Sequence, residues 1–154
     1  MSGHGVSNYF SDSDLQRIKK IIQETESKTS GEIRVKVIGK CDDDLARDIY
    51  RQAIREFERE GLHNTRDKTG VLLLVVIEDR RFQILGDLGI YSKIPQWYWN
   101  EMARGLSVLF KMGDYTNGIC HLVQDVGKEL MVFFPRQMND VNELTDDVIL
   151  GGKE

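Results

Sequence analysis

Cysteine and proline are scarce in this chain, two of each among 154 residues. Cys41 and Cys120 are too few for a disulfide framework, so both are expected as thiols in a reducing compartment. Long hydrophobic stretches are also missing. The longest apolar run, Val71–Ile77, falls far short of the ~20 residues that a membrane-crossing helix needs. The opening residues MSGHGVSNYF hold neither a basic nor an apolar segment. No signal peptide is visible, and a cytoplasmic location is expected. An excess of positive charge is absent as well. The net charge is −4, and Gln137–Glu154 alone carries five acidic residues and one basic, leaving 20 of each sign before it. A neutral body has no field to attract a phosphate backbone, so nucleic acid is not an expected partner. Finally, no GxGxxG, Walker loop, GxSxG or HExxH occurs, and no two histidines stand at ligand spacing. The strong arguments for the common nucleotide-binding, serine-hydrolase and zinc-enzyme classes are therefore missing.

What is present reads as one soluble globular unit, with 40% hydrophobic and 30% charged residues. A chain of this length buries about 68–70% of its unfolded surface and can sustain a core without staples. A short N-terminus over 1–9, a domain over 10–135 and an acidic tail over 136–154 are expected. Ser11-Asp12-Ser13-Asp14 caps a helix over about 13–28, with Leu15, Ile18, Ile21 and Ile22 at helical spacing. Glu32–Ile38 alternates, which predicts a half-exposed strand bearing Ile33, Val35 and Val37 inward and Glu32, Arg34 and Lys36 outward. Asp42-Asp43-Asp44 reads as the start of a second helix ending near Arg59 and Gly61. The uniform apolarity of Val71–Ile77 predicts a central strand covered on both faces, and Arg81–Gly86 returns as its antiparallel partner. A helix opens at Pro95, Gly113-Asp114 breaks it, and a fourth carries Ile119, Leu122, Val123, Val126, Leu130 and Phe133 inward. In the tail, Val141, Leu144 and Val148 suggest a short amphipathic turn.

The order α-β-α-β-β-α-α gives a small mixed sheet with a parallel crossover through the second helix. This topology brings the starts of the first two strands and the finish of the third to one end of the sheet. Thr29, Ser30, Glu32, Arg66, Asp67, Thr69 and Asp87 should converge there, with Asp114 nearby through the last interhelical loop. Hard cations take carboxylate oxygens from several segments, so Asp67, Asp87, Asp114 and Glu32 are candidate ligands for a divalent cation and Arg66 a candidate anion contact. The plainer alternatives are a capping role for Asp87 and surface ion pairs of Asp67 and Glu32 with Arg66 and Arg34. Cys41 and Arg47 have the spacing of a cysteine-phosphatase loop, but the three intervening aspartates would repel a phosphate and raise the thiol pKa. Of Trp97 and Trp99, which cannot share one helix face, one should pack in the core and the other offer a partner surface.

Several segments together resemble the TPM domain family, named for a thylakoid-lumen phosphatase-like protein, a photosystem repair protein and a worm receptor modulator. These are Thr29-Ser30-Gly31-Glu32-Ile33, Thr65 to Leu72, Asp79-Arg80, Ile84–Ile90 and Gly113-Asp114-Tyr115 with Gly118. The resemblance spans about Phe10 to Pro135. It implies a three-layer α/β/α sandwich, calcium or another divalent cation on acidic loop residues, and weak acid phosphatase activity in plant members. Many relatives are exported or membrane-anchored, which this sequence does not suggest. It also has Gly86-Asp87-Leu88-Gly89 where many relatives read glycine-x-glycine, and Ser92-Lys93-Ile94-Pro95 where they often carry a later aspartate. Asp67, Asp87 and Asp114 match motif positions. Two readings follow: a monomeric, non-enzymatic module binding calcium (magnesium as the alternative) and an unknown protein partner, or a metal-dependent phosphatase in which a cation at Asp67 and Asp87 activates water while Arg66 holds a phosphate oxygen.

Overall fold

The computed structural model describes residues 9–137 and 148–151. Helix α1 covers Asp12–Glu26, and its start is a closed capping box: Ser11 Oγ accepts from Asp14 N–H, and Asp14 accepts from Ser11 N–H, both at 3.0 Å. Strand β1 is Glu32–Ile38, α2 is Ile49–Arg59, β2 is Gly70–Val76 and β3 is Arg81–Gly86. A one-turn helix α3, Leu88–Tyr91, leads into α4, Gln96–Lys111, and α5, Tyr115–Phe133. A last strand β4 covers Ile149–Gly151. Helix α2 starts later than the aspartate run implied. Ala46 and Arg47 take positive φ (50° and 68°), which breaks the chain between a 3-10 turn at Asp43–Leu45 and the true cap, Asp48.

The four strands lie in the order β3-β2-β1-β4. β1 runs parallel to β2, with Glu32 opposite Gly70 and Ile38 opposite Val76, and β2 pairs antiparallel with β3. The apolar run is therefore interior and hydrogen-bonded along both edges, as its composition requires. β4 joins parallel to β1 at Lys36–Ile38. It comes from the stretch expected to form an amphipathic turn. Val148 packs on the core, while Val141 and Leu144 lie outside the described residues.

The sheet is the middle of three layers. On one face Ile33, Val35, Val37, Val71, Leu73 and Val75 pack with α1, α4 and α5. On the other, Leu72, Leu74, Val76 and Ile38 meet Ile49, Ala53 and Phe57 of α2. The expectation of a half-exposed β1 is corrected here: all seven of its residues are buried. Its polar face is covered by α2, and the charges pair across the interface. Lys36 Nζ donates to Glu56 at 2.8 Å and Glu60 at 2.9 Å, and Arg34 donates to Glu60 at 2.7 Å. Burial pulls the Lys36 pKa down, but its hydrogen bonds to Glu56 and Glu60 outweigh that and leave it raised. Phe133 differs from its inward assignment, being 40% exposed at the end of α5.

Candidate functional site

The convergence expected at one sheet end starts from the register. Glu32 N–H donates to Thr69 O at 3.4 Å, and Asp87 N–H donates to Gly70 O at 2.9 Å. The starts of β1 and β2 and the finish of β3 thus share that end. Thr65 and Thr69 are buried beneath the loop, tied by Thr69 N–H donating to Thr65 Oγ1. The loops of Asp67 and Asp87 touch directly. Ile90 N–H donates to Lys68 O at 3.2 Å, and a Cβ on Gly89 would stand 2.1 Å from Asp67 O and 2.5 Å from Lys68 O. Only glycine permits that approach.

Asp87 caps α3, its Oδ1 accepting from Leu88 N–H at 2.7 Å. The capping role weighed for it is therefore real, yet it uses one oxygen. Oδ2 is buried and has no hydrogen-bond partner, a costly state for a carboxylate oxygen. Asp67 lies 3.5 Å from Arg66 Nε, with both side chains about half exposed. Glu32 is buried at the same end, while the Arg34 suggested as its partner pairs with Glu60 instead. Thr29 and Ser30 are committed elsewhere: the Thr29 hydroxyl donates to the Leu130 and Phe134 carbonyls, and Ser30 N–H donates to Phe134 O at 2.9 Å. They close the end of α5, and Gly31 lets Leu130 pack against the strand start.

Asp114 does not join this group. It caps α5 by accepting from Asn117 N–H and Nδ2, and its own N–H donates to Leu109 O. Neighbouring Phe110 meets Phe82 edge-to-face at 5.5 Å, and Phe82 is the second residue of β3, opposite Val75. Asp114 therefore lies at the far end of the sheet from Asp87. Among the described residues no three His, Cys, Asp or Glu side chains gather closely enough to hold a metal. What the fold unites is the Asp67 and Asp87 loops, with Glu32 at the start of the neighbouring strand.

The Cys41–Arg47 loop is at that far end too, and its groups are occupied. Arg55 clamps Asp44 through two contacts of 2.8 and 2.7 Å and reaches Asp42 at 2.8 Å. The clamp holds the Asp44 carboxyl down at about 2. Arg47 pairs with Asp79 at 3.1 Å. Burial and then the Asp79 charge push the Cys41 thiol up, the reverse of what a thiolate nucleophile needs.

A second feature went unread in the sequence: a cleft of about 570 Å³ beside β3. Its walls include Tyr50 of α2 and Tyr91, Gln96, Trp99 and Asn100 from α3 to α4. Trp99 is the buried indole and Trp97 the exposed one, at 6% and 65%. Tyr91 stacks on Trp99, with ring centroids 5.9 Å apart. The cleft draws on four elements, α2, β3, α3 and α4, which is why no local motif announced it.

Comparison with known proteins gives three findings. The family model of the TPM domain matches residues 6–129. The solution structure of the BA42 protein from the psychrophilic bacterium Bizionia argentinensis is similar at TM-score 0.85 and 27% identity, covering 95% of this chain and 98% of that one. The N-terminal domains of a Corynebacterium glutamicum and a P. gingivalis protein share the fold at TM-scores 0.62 and 0.66 with 14% and 17% identity. Each alignment covers 81% of this chain, and 76% and 78% of those chains respectively. No curated protein matches the sequence.

Proposed function

The chain belongs to the TPM domain family, and from that premise we propose that it is a non-enzymatic interaction module whose Asp67 and Asp87 loops take a divalent cation, calcium before magnesium. The observation that carries the reading is Asp87 Oδ2, a buried carboxylate oxygen with no donor, in a loop held against the loop of a second carboxylate. A cation would satisfy the first and use the second. Calcium accepts 6–8 oxygens and tolerates irregular geometry. Two carboxylates leave most positions to carbonyls and water, so the site is weak and suits millimolar rather than micromolar ion. Magnesium, which demands near-ideal octahedral geometry, suits this arrangement less well.

The same residues argue against efficient phosphoester hydrolysis. That chemistry needs positive charge around the phosphoryl group and an activated nucleophile. Arg66 lies against Asp67, and the Cys41 thiol is disfavoured as a thiolate. The exposed Trp97 supplies an apolar contact surface, and two buried free thiols suit a reducing, cytoplasmic setting.

The test is a melting curve with and without calcium. Binding to the folded state raises the melting temperature of the wild type, and Asp67→Asn/Asp87→Asn abolishes the rise. An unchanged curve at millimolar calcium contradicts the cation site. A paired phosphomonoesterase assay of the same two proteins is expected to give equal, trace rates. Metal-dependent turnover lost in the double variant would make the phosphatase reading primary.

A further inference from the structure

Strand β3 is one of the two outer strands of the sheet, and Phe82 to Gly86 along it line the cleft. The register identifies which groups are free. Asp87 N–H bonds Gly70 O, and pairing alternates along an antiparallel ladder, so Leu85, Gln83 and Arg81 point their main-chain groups at β2. Phe82, Ile84 and Gly86 point theirs outward. The only bond on that side among the described residues is from Gln83 Nε2 to Ile84 O, at 3.3 Å. An open strand edge is a template for another extended chain.

The surroundings select the occupant. None of the residues lining the cleft is charged, in a chain whose charged fraction is 30%. The matching ligand is an uncharged segment, because a charged one would lose hydration without gaining a partner. The strand edge is recessed: Phe82 to Gly86 are all partly covered, whereas the flanking Leu88, Tyr50 and Tyr91 are 78%, 53% and 48% exposed. A slim peptide reaches such an edge, but an equally recessed edge on a second copy does not. Trp99 adds a separate pointer. It lines the cleft at 6% exposure, and its indole Nε1 is buried with no acceptor, where a peptide carbonyl admitted by movement of Tyr91 would serve.

We propose that β3 is a strand-addition site, taking an uncharged, extended peptide segment of a partner protein whose main chain pairs with Phe82, Ile84 and Gly86 and whose alternate apolar side chains enter between Tyr50 and Trp99. This deepens the interaction-module reading and rests on it, but it does not depend on the cation site. The span from Phe82 to Gly86 is about 13 Å, room for a peptide of about five paired residues.

The test uses the full chain and a blocked heptapeptide alternating threonine and valine, followed by amide NMR and hydrogen exchange. The peptide is expected to shift and protect the Phe82, Ile84 and Gly86 amides, while a twin methylated on alternate backbone nitrogens does not. Asn100→Arg, an exposed helical substitution that intrudes on the cleft without touching β3, should abolish the effect. Ile84→Pro removes an outward N–H but no bond to β2 and should weaken binding about fivefold, the loss of one hydrogen bond. Unperturbed β3 amides at millimolar peptide would overturn the proposal, as would a methylated twin that binds equally well. Protection that instead rises with protein concentration, together with a dimer in sedimentation, would make a second copy the occupant and overturn it too. A missing calcium response with a positive peptide result would leave this site standing and remove only the cation reading.

Discussion

The two acidic loops at opposite ends of the sheet differ less in how many carboxylates they hold than in what those carboxylates already touch. Asp42, Asp43 and Asp44 are consecutive, but Arg55 clamps Asp42 and Asp44, and Arg59 reaches Asp42 at 3.1 Å. Asp67 and Asp87 are distant in sequence, meet only through the fold, and leave one buried oxygen without a donor. A run of acidic residues is thus a poor marker for a cation site when the chain supplies its own cations. One uncompensated oxygen in a buried place is the better marker, because its desolvation cost remains to be offset by a ligand.

Breaking the contact between the Asp67 and Asp87 loops should have the largest effect. In Gly89→Ala the new Cβ meets two backbone carbonyl oxygens rather than flexible side chains, so the loops must part. A loss of about 1–3 kcal/mol is expected, about 2–4 °C per kcal/mol in a domain of this size, and the calcium response disappears. Calorimetry checks both, and a neutral substitution would mean that the loops do not depend on each other.

Freeing the opposite loop sharpens the contrast through pH. The Asp44 carboxyl is held at about 2 chiefly by its hydrogen bonds to Arg55. Because the folded value lies below the unfolded one, the pair stabilises above about pH 4 and loses that contribution as pH falls towards 2. Arg55→Gln should return Asp44 towards its ordinary range, flatten the acid limb between those values, and make the Asp42–Asp44 amides respond to calcium as they do not in the wild type. Carboxyl-carbon NMR titration measures the first of these changes directly.

Smaller effects come from single carboxylates. Asp87→Asn keeps a good capping residue, so stability without calcium should change by about 0.5 kcal/mol or less while the calcium response weakens. Asp43→Asn should change neither by a measurable amount. Its side chain is 76% exposed and its ion pair with Lys40 spans 3.8 Å, a contact of little value in water. Denaturant melts of both variants with and without calcium test the pair together.

The sequence made the Asp67–Asp87 meeting legible because strand direction alone dictates it: a continuous apolar β2 and a short turn to β3 bring Gly70 and Gly86 to one end. The position of Asp114 was legible by the same logic but was misread. Helix α4 has 16 residues, about 24 Å, and β2 has seven, about 23 Å. One traverse of α4 therefore carries the chain from the Asp87 end to the other. The burial of Arg34 and Lys36 was hidden because alternation in a strand looks the same whether its polar face meets water or matched charge. The overlooked sign was on α2 and its C-cap, where Gln52, Glu56 and Glu60 repeat every four residues. Four residues of helix rise about 6 Å and two of strand about 6.6 Å, so the glutamates step along the helix in time with the basic residues of β1. β4 is three residues long, too short for any pattern.

The most direct measurement of the central claim is a calcium titration followed by backbone amide NMR at constant pH and ionic strength. The account predicts saturable shifts at Asp67, Lys68, Asp87 and Leu88, with Asp42, Asp43 and Asp44 unmoved. Shifts at Asp42–Asp44 first, or none at either end in millimolar calcium, would contradict it.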